Sequence, residues 1–182
     1  MAEKSAGLSG TRPLVLLDVC GDPAELLVDF LNTLDVDEGT DALATGESWR
    51  GWLETHELGC FDVATGEAEL AQARQLRDDL RARAAGEPCA QVRQVGIQVA
   101  LTGDGQVELS AEGPVGFLAA AAATVAIEQR LDRVKICPAD DCRWAFYDIS
   151  RNRSRQWCSM EVCGNRAKAR AHRERLATRE TA

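Results

Sequence analysis

The chain has 182 residues, 45% hydrophobic, 27% charged and 5% aromatic, which is enough apolar material for one sizeable core and excludes wholesale disorder. Its 21 Lys and Arg against 29 Asp and Glu leave a net charge of −8, which argues against a polyanionic partner. That average hides a division. Residues 1–136 carry 11 basic against 23 acidic side chains, or −12, and residues 137–182 carry 10 against 6, or +4. Within 149–179 the excess is 9 against 2. An acidic body followed by a basic tail predicts a separate surface for a polyanion.

In chain order, residues 1–12 read as a disordered lead-in without the apolar core of a secretory signal. A short apolar run, Pro13–Val19, follows. Asp22-Pro23-Ala24-Glu25 reads as a helix start, with Asp as cap, Pro in the first turn and Glu three residues after the cap. Leu26, Leu27, Phe30, Leu31 and Leu34 then repeat at helical spacing. The polar pair Asn32-Thr33 near the end of this apolar stretch predicts stabilisation of the adjoining loop, or the lining of a ligand pocket. A second helix is predicted over Glu47–Leu58, stopped by Gly59 and anchored by Trp49 and Trp52. A longer one is predicted over Glu67–Ala85, with acidic start, a basic end (Arg77, Arg81, Arg83) suited to the macrodipole, and Gly86 as stop. The period then changes to two. Ile97–Leu101 and Val107–Leu109 alternate around Thr102-Gly103-Asp104-Gly105, the pattern of a β-hairpin. Pro114 opens an alanine-rich helix expected to run from Val115 to about Arg133. Its apolar run, Val115–Ile127, is well short of the roughly 20 residues of a membrane span. The expected location is the cytoplasm, with no membrane partner.

Seven cysteines divide into three scattered (Cys20, Cys60, Cys89) and four clustered. The cluster is Cys137-x4-Cys142-x15-Cys158-x4-Cys163. Two thiolate pairs across a short loop can converge on one tetrahedral four-sulfur site, which favours a single Zn²⁺. Four cysteines leave no open position, so the expected metal is structural rather than catalytic. About 40 residues around it cannot build much core alone, so a metal staple has an obvious physical role. Pro138–Asp141 and Ser159–Val162 read as tight turns, and Arg143–Asp148 alternates like a short strand.

Residues Cys137-Pro138, Cys142, Trp144-x-Phe146-Tyr147-Asp148-x-Ser150-Arg151-Asn152, Arg155-x-Trp157-Cys158-Ser159-Met160 and Cys163-Gly164-Asn165-Arg166-x-Lys168 resemble the CGNR zinc-finger family. Phe30-Leu31-Asn32-Thr33 resembles a recurring Phe-x-Asn-Thr stretch of the ABATE-type domain that precedes such fingers in bacterial stress-induced transcription regulators. The resemblance implies an α+β fold of two parts: a mainly helical ABATE-like domain over 13–135 with a small β-hairpin, and a treble-clef-like four-cysteine zinc finger over 136–182 ending in a basic helix. It also implies a role in transcription.

The basic residues fit a nucleic-acid surface. Arg151, Arg153 and Arg155 alternate, so in an extended segment all three project from one face. Arg166, Arg170 and Arg173 share one face of the last helix, and Lys168, His172, Arg175 and Arg179 share another. Four thiolates on one Zn²⁺ carry −2, which reduces the tail's +4 to about +2, so the placement of the arginines matters more than their number. Arg166 could instead donate to a zinc-bound sulfur. DNA is the expected partner. The alternatives are RNA, with Trp144, Phe146, Tyr147 or Trp157 stacking on bases, and an acidic protein docked on the basic helix. A small-molecule effector of the body and a homodimer stay open as means of regulation. No phosphate loop, nucleophile elbow or zinc-protease motif is present, and an isolated surface histidine such as His56 makes weak catalytic equipment, so no enzyme is expected.

Overall fold

The structure is a computed structural model that describes residues 21–58, 66–88, 94–101, 103, 105 and 107–180. The lead-in, the Pro13–Val19 run, Gly59, Cys20, Cys60, Cys89 and two residues of the hairpin turn lie outside them. Four body helices are seen among the described residues: α1 (Pro23–Leu31), α2 (Gly46–Thr55), α3 (Glu67–Ala85) and α4 (Gly113–Ile127). Three two-stranded antiparallel ladders accompany them: β1 (Leu34–Asp35) with β2 (Thr40–Asp41), β3 (Gln98–Leu101) with β4 (Val107–Ser110), and β5 (Val134–Ile136) with β6 (Ala145–Tyr147). A basic helix, α5 (Asn165–Glu180), ends the described chain. The architecture is the expected one, mainly helical with small antiparallel sheets and a terminal cysteine cluster ending in a helix.

Helix starts follow local chemistry. The Asp22 carboxylate accepts from Ala24 N–H, and Pro23 occupies the first turn where a missing N–H costs nothing. Thr45 and Ser48 form a reciprocal capping box at α2. The core is the meeting of α1, α3 and α4, where Leu27, Phe30, Leu31, Leu70, Phe117, Leu118 and Val125 are essentially inaccessible. Small Ala120 and Ala121 let α1 approach α4 closely, which is why the alanine-rich composition suits a buried helix. Trp49 is fully buried and stacks on Trp52 at 5.3 Å, with Phe30 tilted against both, so these tryptophans are core anchors.

Three helix ends share one device. At Gly86, Glu57 and Gln129 the chain turns left-handed, with φ of 75°, 59° and 57°. The next N–H reaches back five residues: Glu87 to Ala82, Leu58 to Leu53 and Arg130 to Val125. These are Schellman caps. Only the first uses glycine, and only that helix ends where glycine punctuation predicts. Helix α2 stops at Thr55, short of Leu58, and α4 stops at Ile127, six residues before Arg133. Beyond Gln129 the chain makes a 3₁₀ turn (Leu131–Arg133) and enters β5.

The arginines at the end of α3 do more than complement a dipole. Arg77 and Arg81 are only 3% and 7% exposed. Arg77 donates to Asp41 at 2.5 Å and to Thr33 Oγ1 at 3.3 Å. Arg81 donates to the Leu31 carbonyl at 2.6 Å and to the Arg143 carbonyl at 2.8 Å, joining the end of α1 to the first cysteine turn. Burying guanidinium groups is costly unless every donor is used, and these two serve as polar pins between elements distant in sequence.

Candidate metal centre and basic surface

The metal centre is built on the β5–β6 ladder. Cys137 directly follows β5 and its N–H donates to the Trp144 carbonyl, extending the ladder by one rung. The chain then turns through Ala139, whose carbonyl accepts from both Cys142 and Arg143 N–H, and Arg143 takes a left-handed φ of 55°. This turn brings Cys142 back over Cys137. The second pair uses a wide turn, Met160–Gly164, closed by Gly164 N–H on the Ser159 carbonyl, with Ser159 Oγ accepting from Val162 N–H. A bond spanning five residues suits the two ligands of this second pair, five residues apart, whereas the first pair reaches the same spacing through the Ala139 turn. Gly164 gives the Met160 side chain room to lie over this turn. A Cβ at that position would lie 2.4 Å from Met160 Sδ and 3.3 Å from Trp157 Cδ1.

All four thiol sulfurs lie within 4.8 Å of one another, with Cys142–Cys158 at 3.5 Å and Cys158–Cys163 at 3.7 Å. Zn–S bonds of about 2.3 Å in a tetrahedron place sulfurs about 3.8 Å apart, so the donor set fits one Zn²⁺. Cys137 and Cys163 are buried against Phe146, with Trp157 packed at the margin. Burial and the neighbouring thiols push Cys158 far above the usual thiol range. They raise Cys163 to about 11, while Cys137 is held low by hydrogen bonds despite its burial. Such crowding is what a divalent cation relieves.

The loop between the cysteine pairs is not extended, which corrects the expectation for Arg151, Arg153 and Arg155. A single ammonium gathers it: Lys135 on β5 donates to Asp148 Oδ2 at 2.6 Å and to the carbonyls of Arg153 and Arg155 at 2.6 and 3.0 Å. Arg133 holds the carbonyls of Asp148 and Ser150. Asp148, fully buried, also accepts from Ser150 and Arg155 N–H. Burial opposes ionisation of this carboxyl, but the bonds from Lys135, Ser150 and Arg155 win and hold it well below the usual carboxylate range. Arg155 turns inward, its guanidinium 4.9 Å from the Phe146 ring and bonded to the carbonyls of Trp157 and Cys158. It props the second cysteine turn. Arg151 and Arg153 point into solvent, as do Lys168, Arg170 and Arg173 on α5. These five show no side-chain hydrogen bond or ion pair among the described residues. Arg166 pairs with Asp141 at 3.3 Å, across the first cysteine turn.

Asn32 and Thr33 also have definite places. The Asn32 amide pairs with both backbone groups of Ala145, accepting at 2.7 Å and donating at 3.0 Å, so a side chain of α1's cap continues the β5–β6 ladder as an extra strand would. Thr33 Oγ1 donates to the Phe30 carbonyl at 2.7 Å. Nearby, Arg130 links Asp22 at α1's start to the Tyr147 hydroxyl. Body and cysteine module are thus joined by Asn32, Arg81 and Arg130. Of the groups that position the centre, sequence inspection missed Lys135, Asp148 and Arg81. Asp148 carried a signal, since a carboxylate two residues before Ser150 is the pattern of an Asx turn. Lys135 and Arg81 carried none.

Comparison with known families places two descriptions on these two parts. Residues 24–135 match the ABATE family model, described as "Putative stress-induced transcription regulator", and residues 133–176 match the CGNR zinc finger. The two matches overlap on the strand that carries Lys135. No curated protein matches.

Proposed function

The chain belongs to the ABATE family and carries a CGNR zinc finger, and on that premise we propose that it is a DNA-binding regulator whose zinc-stapled module offers its exposed cations to the phosphate backbone. Cys137, Cys142, Cys158 and Cys163 would hold one structural Zn²⁺, whose part is to cross-link two turns that little apolar burial supports. Asp148, Lys135 and Arg155 then fix the intervening loop, and α5 leaves the second turn as a rigid continuation. The observation that carries the reading is the set of five exposed cations, Arg151, Arg153, Lys168, Arg170 and Arg173, whose side chains make no hydrogen bond or close ion pair among the described residues. Arg77, Arg81, Arg130 and Lys135 are by contrast all consumed internally. Such groups gain by replacing the counterions of a polyanion. Arg155 and Arg166 serve the module itself, the first against Phe146 and the second against Asp141. The body would act as the regulatory part, as a small-molecule sensor or dimerising unit, transmitting its state through Asn32, Arg81 and Arg130.

The test is a binding panel of duplex DNA, duplex RNA and a polyglutamate peptide against the zinc-loaded chain at low salt. Preferential capture of duplex DNA supports the proposal. Preference for RNA or the acidic peptide overturns it in favour of that partner.

A further inference from the structure

Between the segment 154–157 and α5 lies an open groove of about 660 Å³ that shares only Lys168 with the phosphate contacts above. Its floor is apolar: the half-buried Trp157, the thioether of Met160, and Ala167 and Ala171, one turn apart on α5. Met160 is 50% exposed. The polar residues Ser154, Arg155, Gln156 and Lys168 complete its lining. The groove is open because Gly164, Ala167 and Ala171 are short. Longer residues on that face of α5 would fill it.

The chemistry selects the occupant. A bare phosphate gains nothing from an aromatic and thioether floor. An aliphatic side chain would leave Gln156 and Lys168 unused. A planar group with hydrogen-bonding edges and an attached anion uses all of them, and the volume lies within the range of about 300–1,000 Å³ typical of sites for such ligands. We propose that this groove receives one unstacked nucleotide of a DNA strand, its base against Trp157 and Met160, its edge toward Gln156 and its phosphate toward Lys168. The inference rests on the DNA-binding reading and adds to it a preference for DNA in which one base is already out of the stack. A paired base would first have to be extruded, at a cost that an unpaired one does not carry.

Fluorescence anisotropy of the full-length zinc-loaded chain tests this, with a perfect 20-base-pair duplex and the same duplex carrying one extrahelical thymine. The bulged duplex is expected to bind about tenfold tighter, the scale of one base–aromatic stack. Ala171→Leu fills the groove without changing charge, at an exposed helical position that accepts leucine. It should erase the bulge preference and leave affinity for the perfect duplex unchanged, with zinc content and helicity as in the wild type. Equal binding of the two duplexes by the wild type, or an undiminished preference in Ala171→Leu, overturns the inference while leaving the DNA-binding reading intact. Binding of neither duplex removes that reading, and the groove proposal with it.

Discussion

Replacing Asp148 by Asn isolates the charge at the centre of the cysteine module while keeping the side chain's shape. The carboxylate is fully buried and Lys135 is one-quarter exposed, so the pair is only partly screened by water. One oxygen accepts from Ser150 N–H and an amide oxygen can keep that bond. The other oxygen accepts from both Lys135 Nζ and Arg155 N–H, and an amide nitrogen there would point its own hydrogens at two donors. Breaking a buried pair by removing one partner costs about 3–5 kcal/mol, and the partial exposure of Lys135 places this case at about 3 kcal/mol. Urea unfolding followed by tryptophan fluorescence should show that loss, and competition with a chromogenic chelator should show faster zinc release. The pH dependence has a definite sign. A carboxyl held below its unfolded value of about 3.9 contributes its full stabilisation above that pH and loses it as pH falls toward the folded value. The difference between wild type and Asp148→Asn should therefore be flat from pH 5 to 8 and shrink below about pH 4. A variant within about 0.5 kcal/mol of wild type at pH 7 would refute the role assigned to Asp148.

Three further outcomes follow from the same geometry. Asn32→Ala leaves the N–H and C=O of buried Ala145 unpaired and should cost about 2–4 kcal/mol in urea unfolding, with Asn32→Asp no rescue because it cannot donate to the carbonyl. Zinc affinity should rise steeply between pH 6.5 and 8, because the raised Cys158 and Cys163 thiols must release protons on binding; proton release measured in weakly buffered titrations should exceed one per zinc. Arg151→Ala and Arg170→Ala should each lower the magnitude of the log–log salt slope of DNA binding by about 1, whereas Arg166→Ala, whose partner is Asp141, should change it less.

What was legible in the sequence was whatever is set by local spacing. The capped start of α1, the whole of α3 and the two cysteine pairs depend on residues within a turn or two of one another, and their signals are direct. The ends of α2 and α4 were hidden because Glu57 and Gln129 adopt a conformation that glycine normally advertises. The loop of Arg151 to Arg155 was misjudged because its shape is set by Lys135, on a strand across the module, rather than by its own alternation. Asn32 stood out as a polar residue in an apolar helix, yet its partner lies 113 residues away and no local pattern points there. The balance of charge required the same correction. The basic tail is not uniform, since Arg155 is bonded to the carbonyls of Trp157 and Cys158 and Arg166 pairs with Asp141 at the surface.

On the proposed function, metal-dependent order in the cysteine module creates the polyanion-binding surface. This is tested most directly by titrating one duplex DNA with the full chain in zinc-loaded and chelator-stripped forms between 50 and 200 mM salt. The expected result is one zinc per chain and binding by the loaded form that weakens by orders of magnitude across that range, with at least a tenfold loss on stripping the metal, reversed by zinc. Equal affinity of the two forms, or no binding by the loaded form at 50 mM salt, would contradict it.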